Sequence, residues 1–293
     1  MIPRWITFLV SAPLFLSAAT IAHAAPVGAH QIFRGILPYS SEVPALDRYP
    51  EEVAIFAPET APEKPEIILH LHGWRVNRPE LGGRLETFDD VLAEFHFDHI
   101  LSASGRDAYL VVPSSQGHCT SFESHLSTPV RLNYFLNALA TVLKIDMSVH
   151  VPFALTLTGH SGAYRTLAAI LETSAIYSEL FPTDQMIREV DLLDASYGQS
   201  QTFADFLLAP ENKSKRFRSV YRPTTETEAG SHDIWALIHG LDPASVPMET
   251  FYKNTYLPEV TADQLKNVQH AFIASDQDHW GTVNQYLPIL LKN

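Results

Sequence analysis

Apolar residues along this chain arrive in two alternating rhythms. Short runs of strand length fall at Val53 to Phe56, Glu66 to Leu71, Tyr109 to Val112, Phe153 to Thr158, Val190 to Leu193, Arg218 to Tyr221 and Ala271 to Ala274. Between them lie segments whose apolar residues recur three and four apart. Leu85 to Phe97 puts Phe88, Val91, Leu92 and Phe95 on one helical face, and Leu132 to Leu143 does the same with Leu132, Phe135, Leu136, Leu139 and Leu143. Tyr164 to Leu171 and Thr282 to Leu291 follow suit. Strands alternating with helices need crossover connections, which predicts an α/β fold with a mostly parallel central sheet flanked by helices on both faces.

The N-terminus follows neither rhythm. Arg4 is a basic start, Ile6 to Ala19 an apolar segment interrupted by Pro13, and Ala22-His23-Ala24 a small-residue cleavage pattern. Residues 1–24 therefore read as a cleavable secretory signal, which makes the expected localisation secreted or periplasmic. Residues 25–51 are proline-rich and read as an N-terminal arm; 52–293 read as one domain. Longer connections at about 199–217 and 223–266, with helix-like pieces such as Asp233 to Ile238, could form a cap over the carboxyl edge of the sheet.

Composition narrows the partners. With 293 residues, 46% of them hydrophobic, the chain can bury a sizeable core. A net charge of -13 argues against nucleic acid, since a polyanion would approach against the field of the whole protein. No later stretch is apolar enough to cross a bilayer, so no stable membrane insertion is expected after signal removal. Cys119 is the single cysteine, which rules out an intrachain disulfide and a cysteine-rich zinc site. Neither a cofactor nor a metal is expected, the alternative being a histidine site of His70, His72 and His118.

Chemistry enters at Gly159-His160-Ser161-Gly162-Ala163, which lies between a predicted strand and a predicted helix. A serine at the tip of a sharp strand-to-helix turn is a nucleophile elbow: small neighbours permit the tight backbone and leave the hydroxyl exposed. The backbone N–H of Gly162, at the start of a helix, is then free to face an anion.

A strand ending in His72-Gly73, the GHSGA elbow, Asp194 at the end of a later strand, and His279 after the last strand come in that order. Over 52–293 this order resembles the α/β-hydrolase superfamily. The resemblance implies a serine hydrolase whose catalytic groups are Ser161, an acid and His279, the base lying in the polar turn Ser275 to Trp280. His270 lies at the opposite end of its strand, and His232 and His239 flank a helix-like piece where surface positions are expected. Asp194 is the favoured acid because Val190 to Leu193 fix its direction, with Glu226, Glu228 and Asp233 as alternatives. The resemblance also makes the backbone N–H of Trp74 a second oxyanion donor beside Gly162.

Trp74, His160 and Trp280 are the candidate substrate-contacting side chains, and Arg75 is a further candidate for a substrate carboxylate. The expected substrate is a small-molecule or polymer ester, less favourably an amide, cleaved through an acyl-enzyme intermediate. Ala163, where glycine is usual, leaves one alternative: a non-catalytic ligand-binding protein on the same fold.

Overall fold

The computed structural model describes residues 28–48, 52–60, 62, 64–77, 82–115, 122, 126, 128–148, 153–176, 183–255 and 260–292. The signal-like segment, His118 and Cys119 lie outside them. The strands are β1 (Ala29–Gly35), β2 (Val53–Pro58), β3 (Glu66–Leu71), β4 (Tyr109–Pro113), β5 (Ala154–His160), β6 (Ile187–Leu193), β7 (Arg216–Tyr221) and β8 (His270–Ala274). They form one sheet in the order β1-β2-β4-β3-β5-β6-β7-β8. β1 and β2 pair antiparallel, whereas β4, β3, β5, β6, β7 and β8 run parallel to one another.

Period-two alternation decides which side chains meet which helices. Ile55, Leu69, Leu157 and Leu192 face one side, packing with Leu136 of α3 (Pro129–Leu143) and Leu167 of α4 (Tyr164–Ile176). Phe56, Ile68, Leu110 and Leu193 face the other, against Phe88 and Phe95 of α1 (Phe88–Phe95), Ile100 of α2 (Phe97–Ser104) and Leu287 of the final helix (Gly281–Leu291). Both faces are thus covered, which is why the parallel strands carry almost no exposed residue.

Four expectations change. The arm contains β1, an edge strand whose burial is so slight that its sequence lacks a one-sided apolar pattern. The helix expected over Leu85 to Phe97 is shorter, Phe88–Phe95: Thr87 caps α1 with Asp90, and His96 ends it in a left-handed conformation (φ 44) from which a second helix, α2, departs at Phe97.

Among the described residues, the connections at about 199–217 and 223–266 form helices packed on the sheet and not a separate cap. They hold two helices, Ser200–Leu208 and Glu226–Ile238 (here the acid-side helix), followed by Met248–Thr255, and the first of these connections runs into β7. Phe203, Leu207, Ile234, Trp235 and Phe251 all pack into the same core as the sheet. Finally, His232 is buried, its ring set edge-on to Phe251 with Nε2 on the Val246 carbonyl at 3.0 Å.

Candidate active site

Parallel pairing places the ends of β3, β5, β6 and β8 at one edge of the sheet. His160 pairs with Leu193, so the next residues, Ser161 and Asp194, leave adjacent strands side by side. Both do so through left-handed backbone, at φ 55 and φ 46. Such a conformation costs a non-glycine residue about 1–2 kcal/mol, so the surroundings must hold it. At Ser161 they do so by crowding. A side-chain carbon on Gly159 would come 2.5 Å from Leu167 Cδ1 and 3.2 Å from Ala163 Cβ, so only glycine lets α4 pack this close after the turn Ser161–Ala163. Gly73 sits equally close, its missing Cβ falling 2.8 Å from Ser161 Cβ and 3.0 Å from His160 Nδ1.

Asp194 is held by four contacts. Its N–H donates to Val220 O (2.8 Å), Thr227 Oγ1 donates to Oδ1 (2.5 Å), His279 Nδ1–H donates to Oδ2 (2.5 Å), and Arg222 lies 3.5 Å from Oδ2. The alternative acids are placed elsewhere. Glu228 accepts from Thr224 N (3.0 Å) and Tyr252 OH (2.7 Å), Asp233 lies beside His232 (3.3 Å), and Glu226 stands exposed at the start of the acid-side helix. Thr227 escaped sequence reading because only the fold brings its hydroxyl, 33 residues on, to Asp194.

The turn carrying His279 is pinned at both ends. Ser275 N donates to Tyr221 O (2.7 Å), and Asp278 Oδ1 accepts from Gly281 N (2.6 Å). With its Nδ1 proton committed to Asp194, a neutral His279 keeps the Nε2 lone pair for an incoming proton. Ser161 makes no hydrogen bond to His279 in the structure. Proton transfer requires that pair to close to about 2.6–3.2 Å.

The substrate-contacting candidates divide. Trp74 is 40% exposed and lines a cavity of about 380 Å³ together with Ser161, Gly162, Tyr164, Arg165, Tyr197 and Glu226. His160 is fully buried, contrary to expectation: its Nε2–H donates to His279 O (2.8 Å) and its ring lies 4.4 Å from the His279 ring. Burial, and then the neighbouring His279, lower its pKa well below the usual value, so it is a neutral prop beneath His279. Trp280 packs against Phe95, His160 and His279 without lining the cavity.

Arg75 braces loops instead of facing a ligand, donating from Nε to Glu86 O and from Nη1 to Ser115 O, both at 2.7 Å. His72 does the same between Gly73 O (2.8 Å) and Ser115 N (3.2 Å), which fixes its Nδ1–H tautomer. Among the described residues no group of three histidine, cysteine or acidic side chains could hold a metal ion.

The sheet order and the strand-to-helix turn at Ser161 define an α/β-hydrolase fold. Comparison with known proteins agrees on the fold. The chain is similar to the feruloyl esterase module from Clostridium thermocellum, an S954A mutant complexed with sinapinate, at 10% identity and a TM-score of 0.53, over 91% of this chain and 88% of that one. It is also similar to a structure named FAE, at 12% identity and a TM-score of 0.52, over 82% of each chain. No protein-family model and no curated protein matches it in sequence.

Proposed function

We propose that the chain is an exported serine esterase that cleaves its substrate through an acyl-enzyme intermediate. The observation that carries this reading is the 2.5 Å hydrogen bond from His279 Nδ1 to Asp194, on strand ends adjoining the strained turn of Ser161. Export rests on the signal-like residues 1–24, and no helix among the described residues is long and apolar enough to cross a membrane.

In this mechanism Ser161 Oγ attacks the ester carbonyl while its proton passes to His279 Nε2. Asp194 holds the imidazole in the required tautomer and faces the imidazolium that forms. Negative charge on the tetrahedral oxygen is met by the Gly162 and Trp74 N–H groups, each such donor contributing about 2.7–4 kcal/mol. Collapse breaks the bond to the alcohol oxygen, which takes the proton from His279. Water then repeats the sequence on the acyl-serine and releases the carboxylic acid. His160 supports the base from below, donating to the His279 carbonyl.

Turnover of 4-nitrophenyl acetate tests the reading. The protein should release a burst of nitrophenolate followed by steady hydrolysis, and Ser161→Ala should lose the burst and at least about four orders of magnitude in kcat. A binding protein without hydrolysis would show neither phase.

A further inference from the structure

The walls of the cavity beside Ser161 are unlike those of an apolar acyl slot. Trp74, 40% exposed, contributes its indole, and the Tyr164 and Tyr197 rings stand 6.0 Å apart at 41°. Arg165 lies along the Tyr164 ring, its guanidinium carbon 5.7 Å from the centroid and its Nε–H donating to the Tyr164 hydroxyl at 3.1 Å. Glu226 lines the same cavity and stands exposed, and among the described residues neither its carboxylate nor the Tyr197 hydroxyl has a hydrogen-bond partner. Burial, and then the charge of Asp194, push the Tyr197 phenol up to about 12, so it remains a neutral donor at any working pH.

Resting on the esterase reading, we infer that this cavity takes the ester of a sugar-like polyol, its ring stacked on Trp74 and its hydroxyls bonded by Glu226 and Tyr197. A purely apolar group filling about 380 Å³ would strip water from the Glu226 carboxylate and give nothing back, which is costly for an ionised oxygen. An anionic substrate would meet the same carboxylate as a like charge. A polyol does neither: each hydroxyl can donate to Glu226 and accept from Tyr197 or Arg165, while the C–H face of its ring covers the indole. Stacking on a rigid aromatic combined with a carboxylate acceptor selects for a ring that has one apolar face and a hydroxylated rim.

The test compares two acetate esters of similar ring size: a mono-acetylated methyl xylopyranoside and cyclohexyl acetate, with 4-nitrophenyl acetate as the reference substrate. The wild type should favour the glycoside ester over cyclohexyl acetate by at least roughly tenfold in kcat/KM, the worth of one charge-assisted hydrogen bond. Glu226→Ala should lower that ratio by a similar factor, and Trp74→Ala should raise KM for the glycoside ester. A wild-type ratio near one, or a ratio untouched by Glu226→Ala, overturns the inference. Hydrolysis of 4-nitrophenyl acetate with neither ring ester turned over overturns it while sparing the esterase reading. Failure of all three, with no covalent labelling of Ser161, removes both.

Discussion

Thr227 has one hydroxyl proton and spends it on Asp194, while its oxygen accepts from Arg222 N at 3.2 Å. Replacing it with the near-isosteric valine removes a charge-assisted hydrogen bond of about 1.5–3 kcal/mol without opening a cavity. Thr227→Val should therefore cut kcat/KM by roughly tenfold or more, and Thr227→Ser should recover most of it; full activity in the valine variant would show that Asp194 is held well enough without it. Asp194→Asn is the harsher change. Its amide can still adopt the left-handed backbone at φ 46, but it presents an N–H to His279 and favours the wrong tautomer. Turnover should fall by about four orders of magnitude with the fold intact by circular dichroism. At this scale the sequence was informative where strand ends aim a residue, as at Ser161 and Asp194. It was silent on Thr227, Tyr197 and Arg222, whose places depend on which loops meet at the sheet edge.

Elements explain what single residues cannot. The acid-side helix begins at Glu226, yet Gly230 and Ser231 weaken its helical signal, so only Asp233 to Ile238 was legible as helix. Gly230 is there because its helix presses on the loop after Asp194: an added Cβ would overlap the Ser196 carbonyl. Three buried serines continue the contact, with Ser196, Ser231 and Ser219 hydroxyls in sequence at 2.9 and 2.8 Å. Helix propensity alone would have Gly230→Ala stabilise the protein by about 1 kcal/mol. The close approach predicts the opposite sign, a loss of roughly 1–3 kcal/mol in urea unfolding together with reduced activity, because the loop carrying Asp194 must move. Parallel strands, buried on both faces and so written as near-continuous apolar runs, were readable at this scale. β1 was not, since most of its residues are exposed and it pairs only along one edge.

For the molecule as a whole, the buried histidines set a pH limit. Burial holds His70 at about 3 and His72 at about 4, and His160 is also well below its ordinary value. All three stay neutral in the fold, whereas the unfolded chain binds a proton on each as pH falls through about 6.5. Their stabilising contribution is complete above that pH and is lost progressively below it. Asp191 works the other way: burial, and then the Glu189 charge, raise its pKa well above the usual carboxylate value, so it favours the fold as pH drops. Burial lowers His270 as it does the other three histidines, so four histidines stand against one carboxyl and the net is a loss. The unfolding free energy should fall from pH 7 to pH 5, read by urea titration, and equal stability at the two would contradict this balance. Composition hinted at it through fourteen histidines, but only the packing shows which of them are buried. The most direct measurement of the central claim is the mass of the protein after treatment with a fluorophosphonate. A single adduct mapped to Ser161, slowed severely in Asp194→Asn and absent in Ser161→Ala, is the expected result. A folded protein that stays unmodified from neutral to mildly alkaline pH, or that carries the adduct elsewhere, would contradict the account.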